Sequence, residues 1–333
     1  MRTATAALDL TDTAAAHLRR AWLASVQRMR GANPPAELAG RLHRFDPLAG
    51  VDNAVRALAV GYAQQFVATG AAVAEDITHQ LGGPQPVPIR KDQSDADVVH
   101  FDPIAPGVLN WAEQNRLDLI RDITAEQRIM IRYALSVAQE TGENPLVTAR
   151  TIQESIGLSE TQLQWVANFE RSLRAGQYAA AADRQLVDGR TARTLRAAAA
   201  RDGTLSSEQI DAAVSRYRDA MVAYRAETIA RTEAARIVGA GTTDAYEQAI
   251  ASGDLQADQL ICTWVHGRPR GKRQDREFHV SMNGQTRGWG EPFLSGKGRE
   301  LLYPGDPDAP VDETANCGCA RTVRVRPRSR MAA

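Results

Sequence analysis

The stretch YPGDPDAPVDETANCGC, residues 303–319, decides how the last part of this chain folds. Its first eight residues include three prolines, a glycine and Asp306. Proline fixes φ, glycine accepts positive φ, and an aspartate in such a segment makes an Asx-type turn. Two of the three cysteines in the chain, Cys317 and Cys319, close the stretch with one glycine between them. We therefore expect a tight irregular segment here that turns back on its surroundings.

The composition favours helices and gives no overall electrostatic case for nucleic acid. The 333 residues are 43% hydrophobic but only 5% aromatic, and alanine supplies much of the apolar share, which favours closely packed helices over a large aromatic pocket. The net charge is zero. It is unevenly distributed, since residues 261–333 hold 13 Lys/Arg and 8 Asp/Glu, a net +5 that leaves −5 for the first 260 residues.

The cysteines and the apolar segments indicate in which cellular environment the protein is expected. A Cys-X-Cys pair closes too short a loop for an unstrained disulfide, so we expect reduced thiols in a cytosolic product. Residues 1–9 lack the uninterrupted apolar core of a signal peptide. Residues 57–74 carry no charge, but glycine, glutamine and threonine interrupt them. We expect a buried or inter-subunit helix there and no membrane partner.

Apolar periodicity predicts a mainly α protein with an elongated helical N-terminal and central region. An N-terminal helical region is expected at 1–85, followed by a Pro-rich linker or loop at 86–106. The helices expected in the first region lie at about 10–31, 36–45 and 51–80.

Residues 107–253 are predicted to form a central helical domain. Its helices are expected to begin at capping residues, whose side chains accept hydrogen bonds from free backbone N–H groups. The predicted starts are Thr124, Asn144, Ser159 and Ser206. The helix from Ser206 is expected to run to about Ile237, and a separate last helix to end at Gly253.

Residues 254–333 are predicted to form a small α+β module with a basic tail. Residues 260–265 are apolar and β-branched, and residues 322–326 alternate apolar and polar side chains. Both patterns are typical of strands. The predicted fold class is therefore mainly α with this small α+β C-terminal module.

Short motifs follow one another in order through the second half of the chain. They are the segment 156–159 and the helix after it, Tyr217, 225–233, Thr263-Trp264, Arg276, His279, 283–285, Phe293, 303–307 and 316–319. With these motifs and spacings, residues 123–326 resemble the minor head protein, or head-morphogenesis, family of tailed bacteriophages (Mu-F-like). The chain departs from that family at Gly318, where the family usually has arginine or another bulky residue, and in its unusually basic segment 266–275. Residues 1–122 carry no motif of the family.

The resemblance implies a non-enzymatic minor capsid protein inside the phage head near the portal vertex, and in the host cytoplasm during assembly. It implies roles in head assembly, DNA packaging or DNA delivery, with the portal protein and other head proteins as partners and several copies per particle. One alternative is a metal-dependent nuclease-like or DNA-processing factor centred on His279 and the Cys317/Cys319 pair. A weaker alternative is a helical protein that perturbs membranes through residues 51–80.

His279, Cys317 and Cys319 are candidate ligands of a structural zinc ion, because thiolate and imidazole are the groups that Zn²⁺ prefers. Asp275 lies four residues before His279 and would share its face if that piece is helical. The other interpretation is a reduced cysteine pair in a tight turn, with His279 hydrogen-bonded to backbone.

Charged residues suggest two further roles. The resemblance implies that Arg231 and Glu233, together with Arg276, anchor the C-terminal module to the long helix, whereas charged runs on helices are otherwise usually solvated. Two basic clusters, one before residue 276 and one in the tail from Arg321 to Arg330, are predicted to contact packaged DNA nonspecifically or acidic faces of a partner. The contact residues proposed are Arg268, Arg270, Lys272, Arg273, Arg324, Arg326 and Arg328.

Overall fold

The computed structural model describes residues 3–42, 48–81, 99–141, 144–201, 203–267 and 276–326. The protein is mainly α with a small C-terminal sheet region, as the sequence predicts. Two compact units divide it: Met1–Ala21, Leu58–Arg116 and Thr228–Ala333 form unit 1, and Trp22–Ala57 and Leu117–Glu227 form unit 2.

The helices that precede the sheet have the following bounds. They are α1 (Ala4–Gly31), α2 (Pro35–Leu42), α3 (Val51–Gln80), α4 (Pro106–Thr141), α5 (Pro145–Ser155), α6 (Glu160–Arg174), α7 (Tyr178–Ala182), α8 (Gly189–Ala200) and α9 (Ser207–Ala251).

Three of the predicted helix starts are confirmed. Asn144 accepts a hydrogen bond from the backbone N–H of Leu146 at the start of α5. Ser159 and Gln162 form a reciprocal capping box at α6. Ser206 and Gln209 make the same pair of bonds, at 2.9 and 3.3 Å, before α9. In each case the side chains satisfy N–H groups that have no partner within the helix.

Two helix predictions are wrong. Thr124 does not start a helix but lies within α4, because the preceding residues 117–123 contain no glycine or proline to stop one. The helix from Ser206 does not end near Ile237, since α9 continues without a break to Ala251. The short helices α7 and α8 were not predicted.

Unit 2 has a helical core. An aromatic pair packs two of its helices together, and one buried glutamine fixes the turn between two others. Phe169 of α6 stacks on Tyr217 of α9, with ring centroids 4.3 Å apart. Gln127 of α4 donates to the carbonyl of Leu158 and accepts from the N–H of Gly157. Gln127 thereby gives hydrogen-bond partners to two backbone groups of the turn that ends α5 and leads into α6.

Unit 1 contains the C-terminal module, built on a three-stranded antiparallel sheet in the order β2-β1-β5. Its elements are β1 (Leu260–Val265), α10 (Glu277–Val280), β2 (Thr286–Gly288), β3 (Phe293–Leu294), β4 (Glu300–Leu301), α11 (Val311–Thr314) and β5 (Ala320–Val325). The predicted strand at 260–265 is confirmed, and the predicted closing strand begins two residues earlier, at Ala320. Strands β3 and β4 form a separate two-stranded ribbon.

The sheet packs its inner face on α3 and α9 within unit 1. Cys262 and Trp264 of β1 and Val323 of β5 are buried in one core with Ile77 of α3 and Tyr246 of α9. This burial follows the two-residue period of a half-buried strand.

Two side chains, Gln80 of α3 and Tyr246 of α9, hydrogen-bond the free edge of β5. Gln80, at the end of α3, donates to the carbonyl of Val323 and accepts from the N–H of Val325. Satisfying these backbone groups protects an edge that would otherwise be open to pairing with another strand.

Helix α3 is the one helix in the described part of the chain that is long and apolar enough to cross a membrane. An 18-residue window within its segment Arg56–Gln80 has a mean hydropathy of 1.2, and 50% of that window is buried inside the protein. Core helices of soluble proteins pass the same test. Here Phe66 packs on Trp111 of α4, with ring centroids 4.2 Å apart, and Ile77 is fully buried.

Candidate metal centre

Two short helices bring three predicted ligands together. His279 lies on the buried side of α10. Cys317 and Cys319 follow α11 and lead directly into β5, after Asn316 turns the chain with a φ of 54°. Asparagine is one of the few residues that adopt this left-handed conformation at low cost. The turn-rich segment predicted from the sequence therefore does return the cysteines to His279.

The separations between the histidine nitrogen and the two sulfurs match those of a tetrahedral zinc site. Nδ1 of His279 lies 3.5 Å from Sγ of Cys317 and 3.8 Å from Sγ of Cys319. All three donor atoms lie within 4.8 Å of one another. Zinc–sulfur and zinc–nitrogen bonds of about 2.3 and 2.0 Å at tetrahedral angles give an N···S separation of about 3.5 Å. The two N···S separations are therefore compatible with a bound zinc ion.

A buried carboxylate holds the other side of the imidazole ring. Nε2 of His279 lies 2.8 Å from Oε2 of Glu313, a side chain with no solvent exposure. A carboxylate can only accept, so Nε2 carries the proton and Nδ1 faces the sulfurs. The hydroxyl of Ser295 donates to the second oxygen of Glu313 at 3.0 Å. Metal-ligating histidines commonly have such a partner, which fixes the orientation of the ring.

Arg276 braces the segment that carries Glu313. Its guanidinium donates to the backbone carbonyl of Glu313 at 2.7 Å and also to the carbonyl of Ala315. These contacts of Arg276 lie inside the module. They position the segment that carries Glu313 relative to α10.

His279, Cys317 and Cys319 shift one another's pKa values. The hydrogen bond from Cys319, followed by the contact with His279, lowers the pKa of Cys317 well below its usual value despite burial. The hydrogen bond to Cys317, together with burial, raises the pKa of Cys319 well above its usual value. Burial opposes protonation of His279, but its hydrogen bond to Cys317, the charge of Cys317 and the bond to Glu313 raise its pKa overall. A thiolate is the form of cysteine that binds metals.

The candidate fourth ligand, Asp275, lies outside the described residues. So do Arg268, Arg270, Lys272, Arg273 and Arg328 of the predicted basic clusters. The third cysteine, Cys262, belongs to the core face of β1 and is not part of the ligand group found among the described residues.

The predicted anchors on α9 have the following surroundings. Arg231 lies 3.7 Å from the carboxylate of Asp12 in α1. Glu233 is nearly buried and lies 3.4 Å from Arg236 on its own helix.

Other residues of α9 make the contacts that seat the module, and the sequence reasoning missed them. Thr232 accepts a hydrogen bond from the N–H of Asn316 at 2.7 Å. Gly239 faces the ring of Tyr303 so closely that a Cβ atom on it would lie 2.1 Å from the ring. Gly305 approaches the backbone of α9 in the same way, since a Cβ atom on it would lie 2.7 Å from the carbonyl carbon of Ala235. The two glycines therefore allow the 303–305 segment to pack closely against α9.

Arg321, counted in the sequence as part of the basic tail, is buried. Its guanidinium lies 5.2 Å from the ring centroids of both Trp289 and Tyr303. It donates to the carbonyl of Leu302 and to the hydroxyl of Thr243. It is therefore a structural clamp between β5 and α9, and it is not exposed to phosphates.

Arg324 and Arg326 lie on the other face of β5 and are exposed. The alternation of the strand separates them from Arg321, which pairs with Trp264 on the buried side. These two arginines remain accessible to DNA or to a partner protein.

Comparison with known proteins finds no family description, curated protein or solved structure that matches this chain. The functional assignment therefore rests on the motif residues and on the contacts they make.

Proposed function

We propose that this protein is a minor head, or head-morphogenesis, component of a tailed phage or phage-like particle. In this proposal it lies inside the head near the portal and aids head assembly, DNA packaging or DNA delivery. The observation that carries the proposal is convergence: the motif residues between Thr232 and Cys319 that resemble the phage family meet in one packed module, while the segment 156–159 and Tyr217 lie in unit 2.

Each of these motifs has a defined contact. The segment 283–285 extends the pairing of β1, because Gly284 donates to the carbonyl of Trp264 and Trp264 donates to that of Gln285. Asp306 closes the 303–307 turn through an Asx-type bond from the N–H of Asp308. The segment 316–319 meets both Thr232 and His279. Unrelated short matches would have no reason to pack together, so convergence supports the resemblance.

The burial of the site favours a role in holding structure over catalysis. His279 is 1% exposed, and each cysteine is 3% exposed. Both ring nitrogens of His279 are engaged, one by the sulfurs and the other by Glu313. A general base or a metal that acts on a phosphodiester must reach its substrate. These observations weigh against the nuclease alternative, and we do not propose it.

We further propose that the site holds a structural Zn²⁺ ion through Nδ1 of His279 and the sulfurs of Cys317 and Cys319. The ion would cross-link α10 to the segment that enters β5. Such a link supplies folding free energy to a small module whose own core is limited. The predicted role of Arg324 and Arg326 in contacting DNA or a partner stays a prediction beside this one.

The function is tested in the phage or prophage whose genome encodes the chain. Purified DNA-filled heads are analysed by mass spectrometry, with external protease applied before and after the heads are opened. We expect the chain in the particles, protected until opening, and recovered with the portal protein when the two are co-expressed. Absence of the chain from the heads would reject the proposal.

Complementation separates the function from the metal. A strain that lacks the gene receives the wild-type chain, Cys317→Ser or the matched control Cys262→Ser, which alters a buried cysteine outside the ligand group. We expect wild type and Cys262→Ser to restore infectious heads and Cys317→Ser to fail. If Cys317→Ser restores them fully, the zinc proposal fails while the head assignment stands.

A further inference from the structure

A small cavity lies within unit 1, next to the candidate metal centre. It has about 10 Å³ of space for the centre of a water-sized sphere, and Thr11, Thr242, Cys319 and Arg321 are among the residues that line it. A cavity needs roughly 10–15 Å³ by this measure to hold one water molecule, and the water needs two to four polar partners.

Two polar atoms on residues of this cavity wall lack hydrogen-bond partners among the described residues. They are the hydroxyl oxygen of Thr242 and Nε of Arg321. Thr242 is 2% exposed and Arg321 is 8% exposed, so bulk water does not reach them freely. The other two nitrogens of Arg321 already donate to the carbonyl of Leu302 and to Thr243. An unmet buried donor of this kind is costly, because its hydration is lost without replacement.

We infer that this cavity is a binding site for a single structural water molecule. The water accepts the Nε–H of Arg321 and hydrogen-bonds the hydroxyl of Thr242. Thr11 supplies a third partner, since its hydroxyl proton is directed at the carbonyl of Ala7 and its oxygen can still accept. Three partners meet the usual requirement for a buried water.

The bound water joins three elements of unit 1. Thr11 belongs to α1, Thr242 to α9 and Arg321 to β5, so the water completes the seating of the sheet beside Cys319. This inference concerns the packing of the module and stands whether or not the protein acts in a phage head.

A buried guanidinium also attracts small anions, and chloride is the competing occupant. The size of the cavity favours water, because about 10 Å³ corresponds to roughly one water-sized sphere and a chloride ion is larger. The two occupants differ in one measurable respect. Chloride binding makes the thermal midpoint of unfolding depend on chloride concentration at fixed ionic strength, whereas water binding does not.

The test compares Thr242→Val with Thr228→Val in the full-length protein. Both substitutions keep the side-chain shape and remove a buried hydroxyl on α9 that lacks a hydrogen-bond partner among the described residues, but Thr228 is not among the residues that line the cavity. We expect Thr242→Val to lower the thermal midpoint by about 2–4 °C relative to Thr228→Val, because the water and Nε of Arg321 lose a partner.

Other outcomes overturn the inference. If Thr242→Val unfolds at the same or a higher temperature than Thr228→Val, its hydroxyl had no bound water to satisfy it. A midpoint that rises with chloride in place of gluconate would assign the site to an anion. A high-resolution crystal structure gives a check that does not depend on the variants: density for one water between Thr242 and Arg321 supports the inference, and its absence rejects it.

Discussion

Nε2 of His279 lies 2.8 Å from a carboxylate oxygen of Glu313, and both side chains are almost completely shielded from solvent. Because this bond occupies one side of the ring, the opposite nitrogen is directed at Cys317 and Cys319. The carboxylate thus orients the histidine before any metal arrives, as partners of metal-ligating histidines commonly do.

The first prediction concerns metal content. Elemental analysis of the purified full-length protein should give about one zinc ion per chain, because three buried donor atoms of the types that zinc prefers lie within 4.8 Å of one another. Cys317→Ser, Cys319→Ser and His279→Ala should each lose most of this zinc. A chelator should lower the thermal midpoint of the wild-type protein, since metal binding is coupled to folding.

The control for metal content is Cys262→Ser, which removes the third buried cysteine without touching the ligand group. This variant should retain the zinc of the wild-type protein. Wild-type protein purified without chelators and free of zinc would defeat the prediction, and the cysteines would then be a reduced pair held by hydrogen bonds.

The second prediction concerns Glu313. Glu313→Gln preserves size and one acceptor but removes the negative charge beside Nε2, so the ring becomes a weaker and less firmly oriented ligand. Zinc affinity, measured by competition with a chromogenic chelator, should fall about 10- to 100-fold. Asp312→Asn is the matched control, because Asp312 is exposed and pairs with Lys297 at the surface. Equal affinities for all three proteins would show that Glu313 does not support the metal.

Local signals in the sequence were sufficient for three of the four predicted helix caps, those at Asn144, Ser159 and Ser206. The Ser159 capping box depends on two residues that are three apart in the chain, so it can be predicted without knowing the fold. Glu313 and Ser295 could not be assigned in the same way. Glu313 meets His279 from 34 residues away in the chain, and Ser295 meets Glu313 from 18 residues away. Nothing in their neighbouring sequence marks them as partners.

The burial of Arg321 could have been predicted from the sequence of its strand. Val323 and Val325 mark the buried face of β5, and a two-residue period places Arg321 on that same face. The alternation of side chains along the strand therefore distinguishes the buried Arg321 from the exposed Arg324 and Arg326. The role of Gly239 in α9, by contrast, depends on Tyr303, 64 residues away, and no local pattern in the sequence marks it.

The third prediction tests that packing role. Gly239→Ala should destabilise the protein by about 1–3 kcal/mol, because a Cβ atom would lie 2.1 Å from the ring of Tyr303. This loss outweighs the helix-propensity gain of roughly 1 kcal/mol. Gly40→Ala in α2 is the control, since nothing lies within 4 Å of its Cβ position. It should stabilise by about 0.4–1 kcal/mol, as measured by urea unfolding. Effects of the same sign at both sites would contradict the packing argument.

The fourth prediction concerns the exposed arginines of β5. If Arg324 and Arg326 contact packaged DNA, the double variant Arg324→Gln/Arg326→Gln should weaken nonspecific binding to duplex DNA. The slope of log affinity against log salt should fall by about one for each arginine that meets a phosphate. Arg196→Gln is the control, because Arg196 is also exposed but lies in unit 2 and pairs with Asp183. An unchanged slope in the double variant, or an equal loss in Arg196→Gln, would exclude a specific DNA contact at β5. A loss of portal binding in the double variant without a change in DNA binding would then assign this face to an acidic protein partner.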